Sequence, residues 1–167
     1  MKFKLSVIVV KDMERSRKFY EDLLNLKVVL DFGANITFDG GLSLQARDVW
    51  RGFIGSEDTI ICRPNNFELY FEEKNLDKFL QKLKDFDVEL VHDVKEYPWG
   101  QRVIRFYDPD KHIIEVGESM ANVVRRFHDQ GMSVEEIVER SQHPLEFVKE
   151  ALNEKVQKRL VSVKCHD

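Results

Sequence analysis

The chain has 167 residues, 43% hydrophobic and 34% charged, which are ordinary values for a globular protein of one domain or two small halves. The net charge of -4 argues against a general binder of nucleic acid or anionic membrane, and the apolar run Leu5–Val10 is too short for a signal peptide or membrane span. Two cysteines, Cys62 and Cys165, form neither a disulfide framework nor a metal-type spacing, so we expect a cytoplasmic protein.

The first predicted module contains a strand, a helix and a second strand within residues 5–29, followed by a hairpin. Val7–Val10 is a β-branched run typical of a buried strand. The helix after it presents apolar and small side chains at helical spacing, namely Ser16, Phe19, Tyr20 and Leu23. Asp39-Gly40 is a strong signal for a two-residue hairpin turn. If Phe38 pairs with Gly41, alternation puts Gln45 on one face with Ala34, Ile36, Phe38 and Ser43.

The second predicted module repeats this order. A helical stripe of Leu76, Phe79, Leu80 and Leu83 precedes a strand at Val88–Val91. A second hairpin turns at Pro109-Asp110, and an offset of 70 residues places Gln45 on Glu115. Pairing of Asp108 with Lys111 gives Glu115 a common face with Arg102, Ile104, Phe106 and Ile113. The opposite face is apolar enough to pack under the helix, so Glu115 is predicted to point away from it. The fold class predicted is α+β, with two βαβββ modules.

Residues 119–167 differ in character, because they contain helix signals and no strand-like run. Ser119 suits a helix N-cap, Ser133 with Glu136 forms a capping box, and Pro144 suits the first turn of a further helix. The segment is similar to small helix-turn-helix units, but its basic and acidic residues nearly balance, which argues against DNA binding. We therefore predict a domain over 1–118 and a helical extension over 119–167 that covers the sheet or forms a dimer contact.

Two segments resemble the vicinal oxygen chelate superfamily, which includes glyoxalases, bleomycin-resistance proteins and extradiol dioxygenases. The run VVKDMERSRKFYEDLL resembles the family's opening segment, and RFYDPDKHIIEVGE is similar to its closing hairpin. The resemblance covers about residues 3–118. It implies paired βαβββ modules whose curved sheets form a cleft, and in the enzymes that cleft holds a divalent metal that chelates vicinal oxygens of the substrate.

The metal ligands that the resemblance implies are Glu68, Glu115 and Gln45. Leu5 stands where the family usually has a histidine, and no histidine falls at a ligand position. Three oxygen donors suit a hard ion such as Mn²⁺ or Mg²⁺ better than Ni²⁺ or Zn²⁺. A second interpretation of Glu115 needs no metal, because Arg102 lies on the same predicted face and could form a cross-strand ion pair. The sequence leaves both interpretations open.

Aromatic and polar side chains near the second hairpin and beside Glu68 suit a small planar or amphipathic ligand. We predict a binding role for Tyr70, Tyr97, Trp99 and Arg102, and for Trp50, which we expect near a loop at the rim of the pocket. Three functional hypotheses follow. The first is a small-molecule binder with a degraded or weak metal site. The second is a glyoxalase-like lyase or isomerase, or a dioxygenase, that uses Mn, Mg, Ni or Zn with Glu115 as the catalytic carboxylate. The third is an interaction module that acts through the helical extension.

Overall fold

The computed structural model describes residues 1–55, 63 and 65–153, so Cys62, Cys165 and the end of the extension lie outside the described residues. The first module contains β1 (Ser6–Val10), α1 (Met13–Asp22), β2 (Val28–Asp31), β3 (Asn35–Phe38) and β4 (Leu42–Ala46). Its sheet has the order β1-β4-β3-β2, with β1 parallel to β4 and the other neighbours antiparallel.

The second module begins after helix α2 (Arg47–Ile54). It contains β5 (Glu68–Glu73), α3 (Leu76–Leu83), β6 (Leu90–Glu96), β7 (Arg102–Tyr107) and β8 (Ile113–Glu118), with the sheet order β5-β8-β7-β6. The extension forms α4 (Met120–Asp129), α5 (Val134–Ser141) and α6, whose described part is 145–153. The predicted α+β class with two βαβββ modules and C-terminal helices is confirmed. No helix in the described ranges is long and apolar enough to cross a membrane.

Residues far apart in sequence form two compact units. The first unit comprises Met1–Leu69, Leu80–Val91 and Phe106–Ile114, and the second comprises Tyr70–Phe79, His92–Arg105 and the described residues from Glu115 onward. In the first unit α1 buries Ser16, Phe19 and Tyr20, as its spacing predicts. Its core also includes Ile8, Val10, Leu23, Ile36, Phe38, Leu44, Leu83, Phe106 and Ile114.

A buried carboxylate, that of Asp108, joins α1 to the second hairpin within the first unit. Tyr20 donates its hydroxyl to Asp108 Oδ2 at 2.7 Å, and the His112 ring Nδ1 lies 2.8 Å from the same oxygen. The His112 amide donates to Asp108 Oδ1 at 2.9 Å. Burial raises the pKa of Tyr20 well above its ordinary value, and the nearby Asp108 carboxylate raises it further.

The C-terminal helices have their own apolar core in the second unit. It consists of Met120, Val123, Val124, Phe127, Ile137, Val148 and Ala151, with Trp99 packed against it. The capping box at the start of α5 is confirmed, since the Glu136 amide donates to Ser133 Oγ and the Ser133 amide donates to the Glu136 carboxylate. That backbone hydrogen bond lowers the pKa of Glu136. Ser119 lies at the N-cap of α4, but its hydroxyl makes no capping hydrogen bond.

The register of the first hairpin differs by one residue from the prediction. A three-residue link, Asp39–Gly41, replaces the expected two-residue turn, and both of its glycines have positive φ, 79° and 88°. Thr37 therefore pairs with Ser43, and Asn35 pairs with Gln45. Gln45 shares a polar face with these three residues, so the predicted common face with Ile36 and Phe38 was wrong.

Candidate functional site

The register of the β7–β8 hairpin decides which side chains surround Glu115. The Asp108 amide donates to the His112 carbonyl at 3.0 Å, and Lys111 has a φ of 71°, so three residues form the turn. The predicted pairing of Asp108 with Lys111 was therefore wrong. A one-residue shift moves every side chain of β7 to the other face relative to β8.

Glu115 forms an ion pair with Arg105, which corrects the expected pairing with Arg102. Glu115 is 7% exposed and the Arg105 side chain is 21% exposed, so both charges are largely removed from water. Arg105 also donates from Nη1 to the Tyr97 hydroxyl at 2.6 Å, and the same atom lies 3.3 Å from His92 Nε2. Glu115 thus belongs to a hydrogen-bonded network of charged and aromatic side chains.

Arg102 lies on the opposite face of β7. Its Nε donates to Glu118 at 3.2 Å and its Nη1 donates to Asp77 at 2.9 Å. The hydrogen bond to Asp77 raises the pKa of Arg102 most, and the hydrogen bond to Glu118 raises it further. Arg102 lines a cavity of about 410 Å³ within the second unit, together with Lys74, Asn75, Leu76, Asp77, Glu118 and five residues of α4 and its end. The structure therefore separates Arg102 from the Glu115 network.

Residues 97–101 form a tight turn, here called the aromatic turn. The Gly100 amide donates to the Tyr97 carbonyl at 2.8 Å, and the Tyr97 amide donates to the Gln101 carbonyl at 2.9 Å. The rings of Tyr97 and Trp99 stack with centroids 4.7 Å apart and planes inclined by 17°. The Arg105 guanidinium lies 5.7 Å from the centroid of the Tyr97 ring. The stack and the Arg105–Glu115 pair are therefore joined through Tyr97.

Gln101 links the aromatic turn to β5. Trp99 Nε1 donates to Gln101 Oε1 at 3.2 Å, and Gln101 Nε2 donates to the Tyr70 hydroxyl at 2.9 Å. Burial raises the pKa of Tyr70, and the hydrogen bond from Gln101 opposes that shift. Gly117 leaves room for this link, because a Cβ there would lie 2.6 Å from Gln101 Nε2. Tyr70, Tyr97 and Trp99, three of the predicted ligand-binding residues, are thus connected to one another and to Glu115.

The other predicted site residues belong to the first unit. Gln45 is 5% exposed, accepts a hydrogen bond from Asn35 at 3.1 Å and donates one to the Ala34 carbonyl at 2.8 Å. Glu68 is exposed at the start of β5. Trp50 was expected near a loop, but it is half-buried in helix α2, an element that the sequence analysis did not predict.

The contacts of the implied ligands do not fit the divalent metal that the family resemblance suggests. The Glu115 carboxylate is neutralised by Arg105, the Gln45 amide is hydrogen-bonded within its hairpin, and Leu5 offers no donor atom. In the part of the chain that the structure describes, no three or more His, Cys, Asp or Glu side chains are grouped so as to hold a metal ion.

Sequence reasoning missed three members of this network, Arg105, His92 and Gln101. Arg105 was assigned to the wrong face by the register error, and no binding role was predicted for His92. The available signal was an arginine placed directly between two apolar strand residues, Ile104 and Phe106, since such a charge requires a partner. Gln101 gave no comparable signal, because a polar residue directly after a glycine is ordinary in a turn.

Comparisons with known proteins agree with this fold. A family model described as a glyoxalase-like domain matches residues 3–121. The uncharacterized protein YraH of Bacillus subtilis (strain 168) is 29% identical over 119 residues, which are 65% of this chain and 91% of that protein. A crystal structure of a protein of unknown function from Agrobacterium tumefaciens str. C58 is 39% identical with a TM-score of 0.65, covering 71% of this chain and 94% of that one.

The fold is also shared at lower identity. The crystal structure of a glyoxalase/bleomycin resistance protein/dioxygenase from Nocardioides is 20% identical with a TM-score of 0.58, over 71% of this chain and 83% of that one. The family model, the two βαβββ modules and these similar structures agree. The chain belongs to the glyoxalase-like family of the vicinal oxygen chelate superfamily.

Proposed function

We propose that the protein binds a small planar molecule at the aromatic turn, beside the Arg105–Glu115 pair. The observation that supports the proposal is the stack of Tyr97 on Trp99, in which the Tyr97 hydroxyl accepts a hydrogen bond from Arg105 at 2.6 Å. A half-buried tryptophan in a turn offers a flat apolar surface, and the adjacent guanidinium and imidazole offer polar groups to the edge of a ligand. An aromatic surface with a few fixed polar groups is the chemistry typical of small-molecule sites.

Arg105 and Glu115 together favour a ligand of low net charge at this site. Their charges cancel, so the pair presents hydrogen-bonding groups without an excess charge. His92 adds a ring nitrogen 3.3 Å from Arg105 Nη1, and its Nδ1 lies 2.7 Å from the Asp93 carbonyl. We infer that specificity comes from the shape of the stack and from hydrogen bonds to the ligand edge.

The test compares 2-naphthoate with its neutral analogue 2-naphthamide in calorimetric titrations, and the balanced charges of Arg105 and Glu115 predict that the neutral amide binds at least as tightly. Trp99→Leu removes the stacking surface and is expected to weaken binding of both probes about tenfold, the equivalent of about 1.4 kcal/mol. Phe32→Leu is the matched control, because Phe32 is an aromatic residue of the first unit that is 72% exposed. Trp50→Leu tests whether Trp50, a residue of the first unit that was also predicted to bind the ligand, contributes to the affinity. Equal affinities in the wild type, Trp99→Leu and Phe32→Leu would contradict the proposal.

The metal-dependent alternative is tested by thermal unfolding of metal-stripped protein with Mn²⁺, Mg²⁺, Ni²⁺ and Zn²⁺. A specific site would stabilise the fold by about 2.7 kcal/mol at a hundredfold excess over the dissociation constant. We expect no stabilisation that depends on Glu115, because an ion would have to displace Arg105 from the carboxylate. A shift that disappears in Glu115→Gln would favour a metalloenzyme, and glyoxalase-type activities would then be assayed.

A further inference from the structure

We propose that helix α4 of the C-terminal extension positions the aromatic turn for ligand binding, with Arg126 as the positioning residue. The inference rests on the proposed function, because it assumes that the aromatic turn is the binding surface. It assigns the extension a part in the site itself, beyond the covering or dimer contact that its sequence predicts. Two independent contacts between α4 and the turn support it.

The first contact is a charge-assisted hydrogen bond. The Arg126 guanidinium donates to the carbonyl of Gly100 in the turn, and its Nη2 also donates to Glu118 Oε2 at 3.2 Å. The Glu118 side chain is only 7% exposed and is held by Arg102 as well, so the acceptor at the end of β8 is fixed. One side chain of α4 therefore connects the backbone of the turn to β8 through bonds of the stronger, ionic class.

The second contact is steric. Gly100 has a φ of 86°, and a Cβ at this position would lie 2.1 Å from Cζ of Phe127. Phe127 is fully buried, and Trp99 packs against the same apolar cluster of the extension. The backbone of the turn thus rests directly on a ring of α4. Movement of the turn away from α4 would open a packed core, which costs free energy.

The position of the turn matters because its aromatic side chains join the polar network. Trp99 stacks on Tyr97, and Tyr97 accepts a hydrogen bond from Arg105, the partner of Glu115. If Arg126 is lost, the turn gains conformers in which this stack is not formed. The ligand then binds only the molecules in which the stack is formed, and the apparent affinity falls in proportion to the fraction of those molecules.

The experiment compares Arg126→Ala, Arg126→Lys and a matched control, Arg125→Ala, all in a Trp50→Phe background that leaves Trp99 as the sole tryptophan. Arg125 is the adjacent residue on α4, and it donates to Ala151 O and to Asn122 Oδ1, both at 2.9 Å and neither in the turn. Two quantities are measured for each protein: Trp99 emission without ligand, including its quenching by acrylamide, and the affinity for 2-naphthoate. Thermal unfolding identifies any variant that is not folded.

We expect Arg126→Ala to shift Trp99 emission to longer wavelength, to increase quenching and to weaken 2-naphthoate binding about fivefold or more. Arg126→Lys, which keeps a cationic donor, should recover part of both effects, and it serves as the test if the alanine variant does not fold. Arg125→Ala should match the parent in both measurements. Unchanged Trp99 emission in both Arg126 variants, or changed emission with unchanged affinity, would overturn the inference.

Failure of the proposed function itself would give a different result. In that case Trp99→Leu would bind 2-naphthoate as well as the wild type does, whatever the Arg126 variants do. The emission and quenching of Trp99 would still report whether Arg126 holds the turn. Unchanged emission would then reject the positioning role as well.

Discussion

Replacement of Arg105 by glutamine is expected to be the most damaging single change in the Glu115 network. Glu115 is 7% exposed and its carboxylate faces the guanidinium across the hairpin, so the variant leaves a buried negative charge without its cation. The converse change, Glu115→Gln, is milder. Arg105 is 21% exposed, keeps its hydrogen bond to Tyr97, and can still donate to the glutamine oxygen.

The structure sets the magnitudes of these changes. Breaking a buried pair costs roughly 3–5 kcal/mol, and the partial exposure of Arg105 places Arg105→Gln at the lower end, at about 3 kcal/mol. Glu115→Gln exchanges an ionic hydrogen bond for a neutral one and should cost about 1 kcal/mol. The double variant lacks both charges and should cost about 2 kcal/mol, which leaves a coupling energy of about 2 kcal/mol between the two residues.

Urea denaturation followed by far-ultraviolet circular dichroism measures all four free energies of unfolding at neutral pH. The control pair is Arg17→Gln with Glu21→Gln, an i,i+4 pair of α1 in which both side chains are 34% exposed, for which we expect a coupling within about 0.5 kcal/mol. Additive costs for Arg105→Gln and Glu115→Gln would show that the two residues are not energetically coupled, contrary to this prediction.

Two further predictions concern buried polar contacts. Tyr20→Phe removes the hydroxyl that binds Asp108, so the free energy of unfolding should fall by about 1–3 kcal/mol at pH 7. Burial raises the pKa of Tyr20 in the folded state, so the stability contributed by the protonated hydroxyl is complete below about pH 10 and is lost at higher pH. Urea midpoints measured from pH 7 to 11 should therefore fall more steeply in the wild type than in the variant. Parallel curves would contradict this prediction. Gly117→Ala should destabilise the fold by about 1–3 kcal/mol, because the added Cβ meets the Gln101 side chain. The same change should cost less free energy of unfolding in a Gln101→Ala background. An equal cost in both backgrounds would show that Gln101 is not the obstacle.

The order of helices and strands was predictable because periodicity and repetition act over many residues. The helix α1 and the repeat of strand, helix and hairpin are visible in the sequence, and both modules are present. The hairpin registers were not predictable, because loop length depends on single dihedral angles. Asp39-Gly40 signals the position of a turn, but Gly41 and Lys111 also adopt positive φ and add one residue to each loop.

The candidate site was predictable in part. Tyr70, Tyr97 and Trp99 were selected for their chemistry, and the structure connects them through Gln101. The partner of Glu115 was missed because the register error exchanged the faces of Arg102 and Arg105. The contact of α4 with the aromatic turn could not have been inferred, because nothing local in the sequence relates Gly100 to Phe127.

The first unit is built from segments that lie far apart in the chain, and this limits the order in which the protein can fold during synthesis. Tyr20 completes its hydrogen bonding with Asp108, 88 residues later in the chain, and the same unit needs Phe106 and Ile114 for its core. The N-terminal module therefore leaves the ribosome before its last core residues have been made. Until residues 106–114 have been synthesised, the core of this unit is incomplete and part of its apolar surface stays exposed, which favours aggregation. A fragment that ends at Leu69 should consequently be less stable than its complete set of first-module strands suggests.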